Sequence, residues 1–181
     1  MLEIRWHGRG GQGAVTSVEM LALTAIGEGK YAQGFPSFGP ERRGAPVAAF
    51  NRIDDKQIKV RSAVYKPDVV VVLDSSLVGL VDVTEGLKPD GTLIVNTPKS
   101  PEELKRELNF KGKVATVDAS KIAWEELGVP ITNTTMLGAL IKVLDIVKLD
   151  SVKEPMEHRF GRIAQKNLAA LKKAYEDVKI N

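Results

Sequence analysis

Apolar and polar residues alternate from Leu2 to His7, the period-two signature of a β-strand with one face against a core. The period then lengthens. Val15, Val18, Leu21, Ala22 and Ala25 share one face of a helix predicted from Ala14 to about Glu28, which Gly27 and Gly29 bring to an end. Tyr31–Phe35 reads as a second strand, so the chain opens with a strand–loop–helix–strand unit. The prolines and glycines between Pro36 and Pro46 predict a loop. Val47–Arg52 and Gln57–Arg61 predict a hairpin turning at Asp54-Asp55. The unbroken apolar run Val69–Leu73 predicts a strand buried on both faces, closed by Asp74-Ser75-Ser76, which is suited to cap a short helix. Thr92–Asn96 and Lys113–Val117 predict further strands. Helices are expected over Pro101–Leu108 (with Ser100 as N-cap), Ala119–Leu127, Thr135–Ile146, Ser151–Arg159 and Ile163–Val178.

Strands alternating with helices predict an α/β layered fold, with a largely parallel central sheet and antiparallel edge strands supplied by the hairpin. At 181 residues, with 43% hydrophobic and 27% charged residues, the chain is expected to be a single domain spanning residues 1–181. The net charge of +3, with basic residues spread out apart from Arg42-Arg43 and Lys172-Lys173, gives no footing for nucleic acid. The absence of cysteine excludes disulfides, thiolate metal sites and iron–sulfur ligation by this chain, and fits a reducing or a hot compartment. No leader pattern and no apolar run of membrane-spanning length stands out, so a soluble, cytoplasmic protein is expected.

Chemistry concentrates in two loops. Gly8-Arg9-Gly10-Gly11-Gln12-Gly13 matches G-x-G-x-x-G between a strand and a helix, the context of a dinucleotide fingerprint. The expected second strand, Tyr31–Phe35, carries no acid to hold a ribose, however. Three readings stay open: tight helix–strand packing only, an anion site at the helix N-terminus, or contact with another subunit. The second loop, Gly39-Pro40-Glu41-Arg42-Arg43-Gly44-Ala45-Pro46, presents two adjacent guanidinium forks suited to phosphate or carboxylate. Glu41 is placed to pair with one of them, and Phe35 and Phe38 are apolar anchors. Asp74 is either a ligand at a strand end or a helix cap; Asn133–Gly138 either caps a helix or lines an interface. His7 is read as a hydrogen-bonded structural histidine, and His158 as a surface residue. No serine–histidine–acid set, carboxylate pair or metal cluster is evident, and no catalytic residue is assigned.

Four blocks carry a resemblance: Arg5–Ala14, Phe35–Val47, Lys66–Asp74 and Pro130–Ala139. In this order they resemble the gamma subunit, or gamma domain, of pyruvate and related 2-oxoacid:ferredoxin oxidoreductases. The resemblance implies a subunit of a cytoplasmic enzyme that oxidatively decarboxylates a 2-oxoacid, most readily pyruvate, to an acyl-coenzyme A and reduces ferredoxin. It implies alpha, beta and delta partner subunits holding thiamine diphosphate, magnesium and iron–sulfur clusters, with no cofactor bound by this chain alone and coenzyme A as co-substrate. On this view Gly8, Arg9, Gly10, Gly11, Gln12, Gly13, Arg42 and Arg43 border either the coenzyme A site or a subunit interface. The competing expectations are a stand-alone nucleotide-binding protein using the glycine loop, and a purely structural scaffold subunit.

Overall fold

The computed structural model describes residues 1–37 and 42–181. Its strands are β1 (Leu2–Arg9), β2 (Tyr31–Pro36), β3 (Pro46–Asp54), β4 (Val69–Val72), β5 (Thr92–Asn96), β6 (Lys113–Val117) and β7 (Lys179–Ile180). They form one sheet in the order β2-β3-β1-β4-β5-β6-β7. The four strands β1, β4, β5 and β6 run parallel at its centre. Antiparallel strands flank them: β3 and β2 on one side, β7 on the other. This is the expected α/β layering, with a parallel centre and antiparallel edges.

The antiparallel edge is not built by the expected hairpin. Val47–Arg52 lies within β3, but residues 57–61 form no strand. The reason is that β3 pairs with β1 along one side and β2 along the other, from Leu2 opposite Ile53 to Pro36 opposite Ala49. Both its ladders are filled, and a third partner has no free backbone groups to meet. The terminal strand β7 went unforeseen because two residues carry no readable period.

The helices are α1 (Ala14–Gly27), α2 (Pro101–Glu107), α3 (Ala119–Leu127), α4 (Asn133–Leu144), α5 (Lys153–Phe160) and α6 (Ala164–Asp177). Local chemistry sets several ends. Ser100 and Glu103 form a reciprocal capping box on α2, Asp118 caps α3 by accepting from the Lys121 amide, and Gly128 ends α3 in the left-handed conformation.

Strand alternation divides the core. Ile4, Trp6, Val69, Val71 and Ile94 face a large cluster shared with α1, α3, α4, α5 and α6. Val70, Val72, Leu93 and Val95 face a smaller cluster with Leu77, Val83 and Leu104. The polar positions of β1 point to this thinner side, yet they are not solvated. Arg5 is only 9% exposed and donates to the carbonyls of Val83 and Glu85 (3.2 and 2.5 Å), tying down the segment that follows β4. On the thick side Trp6 Nε1 donates to Asn51 Oδ1 (2.9 Å), and Asn51 Nδ2 donates to the Val18 carbonyl (2.8 Å). One buried amide thus joins β1, β3 and α1.

Candidate functional site

The carboxyl ends of β1 and β4, where open parallel sheets place ligands, gather the segments that the sequence singled out separately. Leaving β1, the chain turns through Gly10, whose amide donates to the Ala45 carbonyl (2.9 Å) and whose carbonyl accepts from the Gly44 amide (3.0 Å). Gly10 and Arg43 form an isolated parallel bridge. The glycine loop and the arginine loop are therefore one surface, stitched by backbone. Phe38, Gly39, Pro40 and Glu41 lie outside the described residues, and with them the expected Glu41 ion pair and Phe38 anchor.

Arg9 and Gln12 are turned inward. The Gln12 side chain accepts from the Arg9 amide (2.7 Å) and donates to Asp74 Oδ2 (2.8 Å). The Arg9 guanidinium donates to the same Asp74 oxygen (3.2 Å), to Ser76 Oγ (2.9 Å) and to the Gly44 carbonyl (3.0 Å). Asp74 also caps the turn over Ser75–Leu77 through the Ser76 amide, so its two expected roles are joined in one residue. Burial alone would raise the Asp74 pKa. Hydrogen bonds from Ser76 and Gln12 and the charge of Arg9 outweigh that and hold it below the ordinary carboxylate value. Arg42 and Arg43 differ: both are exposed, and among the described residues no carboxylate lies within salt-bridge distance of either.

This geometry bears on the dinucleotide reading. β3 lies between β1 and β2, so the expected opening unit is not a parallel crossover. The parallel neighbour of β1 is β4, and the acid that follows it, Asp74, is committed to Arg9 and Gln12. A phosphate on this loop would have to compete with an internal carboxylate for the loop's own side-chain donors.

Helix α1 starts at Gly13, which sits at φ 82° and offers no side-chain cap. A side chain here would be strained by that φ and would also overlap the Asn133 side chain at the start of α4. Asn133 Oδ1 accepts from the Thr134 amide in the first turn of α4 (2.8 Å), in keeping with the capping alternative, while Asn133–Gly138 are buried rather than on the surface. Thr132 Oγ1 donates to the Leu73 carbonyl (3.1 Å), Ser17 Oγ to the Asn133 carbonyl (3.3 Å) and Thr134 Oγ1 to Asn167 Oδ1 (2.8 Å). These bonds lock α4 to β4, α1 and α6, and α4 begins two positions before the expected Thr135.

A groove of about 530 Å³ opens between the glycine loop and the ends of β2 and β3, lined by Arg9, Gly11, Gly13, Val15, Thr16, Pro36, Ser37, Val47 and Ala48 among others, with no carboxylate among the described residues of its wall. Its size is that of a small-molecule cleft. Pro36, Ser37, Thr16 and Ala48 were not foreseen as part of a site. The chain signals them only as a strand end and a helix turn, and the β2–β3 pairing brings them here.

His7 lies on the thin side of the sheet, with Nε2 buried and unpartnered, so the hydrogen bond expected for it is not made at that atom. Burial, with Arg5 acting in the same direction and Asp82 opposing, lowers its pKa from 6.5 to about 4. Between those values the unfolded chain binds a proton that folded His7 does not. Stability should therefore fall as pH is lowered from about 6.5 towards 4, by at most about 1.4 kcal/mol per pH unit from this group. Urea unfolding across that window should show a shallower dependence for His7→Gln than for wild type. Equal slopes would mean that folded His7 protonates normally.

The family model for pyruvate ferredoxin/flavodoxin oxidoreductase matches residues 3–177. The chain belongs to this family. The pyruvate/ketoisovalerate oxidoreductases common subunit gamma of Thermococcus kodakarensis is 58% identical over 97% of this chain and 96% of its own length. The protein of the same name from Pyrococcus furiosus is 54% identical over 99% and 98%. The crystal structure of pyruvate oxidoreductase subunit PORC (EC 1.2.7.1) from Thermotoga maritima superposes with a TM-score of 0.88 at 45% identity, covering 99% of this chain and 98% of that one. The resemblance to a gamma subunit drawn from the sequence is borne out. In this member of the oxidoreductase family, parts of the four resembling blocks converge: Gly10 bonds to Ala45, Arg9 and Gln12 to Asp74, and Gly13 abuts Asn133. Among the described residues no group of three or more His, Cys, Asp or Glu side chains is placed to hold a metal, and no helix is long and apolar enough to cross a membrane.

Proposed function

We propose that this chain is the gamma subunit of a multi-subunit pyruvate or related 2-oxoacid:ferredoxin oxidoreductase, which converts the 2-oxoacid to an acyl-coenzyme A and reduces ferredoxin. The observation that carries the reading is full-length identity above 50% to subunits so named. The residues of this chain do not fit the iron–sulfur clusters that such an enzyme implies. There is no cysteine to hold an iron–sulfur cluster. Those groups are assigned to alpha, beta and delta partners, and no chemical step is placed on this chain.

Its contribution is assigned to the stitched loops, as a border of the coenzyme A entrance at a subunit junction. Arg42 and Arg43 supply exposed guanidinium forks for phosphate. The uncapped start of α1 supplies positive backbone dipoles beside them, and the described residues of the groove wall include no carboxylate. In the assembled enzyme, Arg42→Ala and Arg43→Ala should each raise the KM for coenzyme A by about tenfold, the loss of one charge-assisted contact. Subunit composition and kcat should be unchanged. An unchanged KM in an intact complex would overturn the coenzyme A role. Loss of subunits from the complex would assign these loops to the interface alone. The stand-alone nucleotide reading predicts instead that the isolated chain binds NAD or a flavin, which isothermal titration would detect.

A further inference from the structure

Residues 55–66 cross the thin side of the sheet next to β3 as an ordered segment without secondary structure. Its floor is fixed. Val64 is buried, Arg52 Nη2 donates to the Ala63 carbonyl (3.3 Å) and Gln33 Nε2 to the Ile58 carbonyl (3.5 Å). Its outer surface is cationic. Lys56, Lys59, Arg61 and Lys66 are all exposed, and among the described residues none has a carboxylate within salt-bridge distance. Against these four cations stands one carboxylate in the segment, Asp55, since Asp54 just before it pairs with the amino terminus (3.2 Å). The segment therefore carries a net +3, which equals the formal charge of the whole chain and leaves the rest neutral. Two large apolar side chains stand out among the cations: Tyr65 is 74% exposed and Val60 41%.

We infer that this strap docks an acidic surface of a partner subunit in the assembled oxidoreductase, an inference that rests on the subunit reading above. Exposed Tyr65 and Arg61 are residue types enriched at interfaces, and the unpaired lysines around them suit the charged rim that surrounds an apolar spot. The fixed backbone lowers the ordering cost of binding. A neutral remainder argues against nucleic acid, because phosphate-backbone binding draws on roughly six to ten cationic contacts spread along a surface. Charge complementarity names the partner's chemistry: a patch rich in Asp and Glu that accepts Lys59 and Arg61, with an apolar spot for Tyr65.

The test uses the tagged full-length chain captured with its complex from native cells, treated with a zero-length carbodiimide that joins amines to carboxylates. A cross-link from Lys56, Lys59 or Lys66 to an Asp or Glu of a partner subunit is expected. The double variant Lys59→Glu/Arg61→Glu, with an unchanged unfolding midpoint, should hold that partner about tenfold or more weakly. The difference should shrink as salt is raised. Tyr65→Ser should weaken the same contact without changing its salt dependence. If wild type retains every partner, gives no such cross-link and the charge-reversed variant retains them equally, the docking proposal is overturned while the subunit reading stands. A wild-type chain that captures no partner overturns both. Binding of duplex DNA or phosphatidylserine vesicles by wild type but not by the variant, without a protein cross-link, would overturn it in favour of a phosphate-bearing ligand. The wild-type cross-link decides the matter even where a variant fails to fold.

Discussion

Trp6→Ala should destabilise the fold by about 4 kcal/mol, the range for truncating a fully buried large aromatic. Trp6 has no exposed surface and sits in the large cluster between β1 and the helices. Two terms add. The cavity left by the indole lies against the parallel centre of the sheet, where β1 is held on both sides by β3 and β4 and cannot collapse inward. In addition, Asn51 Oδ1 loses its donor in a buried place, a loss of about 1–3 kcal/mol by itself. Trp6→Phe keeps most of the volume and removes only the donor, so it should show mainly the second term. For a chain of this length the alanine variant should lower Tm by about 10 °C. Urea unfolding of the two variants would separate the terms. A phenylalanine variant as damaging as the alanine one would mean that the hydrogen bond, not the volume, dominates.

Gly138→Val is the second large expected effect. Gly138 lies in α4 where α6 crosses it, and a Cβ there would overlap the Leu171 carbonyl. The obstacle is backbone, so no rotamer change relieves it, and the two helices must separate. Overpacking of this kind costs about 3 kcal/mol or more, graded with size, so Gly138→Ala should fall between wild type and valine. The consequence reaches the candidate site. α4 starts at Asn133, which packs against Gly13 of the glycine loop, and Thr132 anchors that start to the end of β4. A displaced α4 should loosen the loop, read as faster amide hydrogen exchange at Gly11–Ala14 alongside a lower urea midpoint. Unchanged exchange with a lowered midpoint would uncouple the helix pair from the loop.

These effects fall where a sequence is least informative. The buried strands at 69–73 and 92–96, and the helices over 101–108 and 119–127, could be read to within a residue because each carries its own period or cap. The hairpin over 47–61 failed because strand pairing is settled between segments. β3 found its partners at Leu2–Arg9 and Tyr31–Pro36, and Gln57–Arg61 had none left. Likewise, the sequence left Arg9 and Gln12 open between packing, an anion site and a subunit contact, and Asp74, distant in sequence, turns both inward. The basic residues at 56–66 looked like scattered surface charge, because no local pattern says that the fold brings none of the described carboxylates within salt-bridge distance of them.

By itself the sequence determined the layered α/β class, most element positions, the family, and the two loops in which chemistry could reside. Those are properties of local pattern and short motifs, which the chain carries in contiguous residues. The tertiary structure alone decided that the two loops are one surface, which of their side chains are spent internally, and that among the described residues no carboxylate folds back onto the cations of the strap. These depend on contacts between residues far apart in sequence, where geometric complementarity and the demand that every buried polar group find a partner select one arrangement among many.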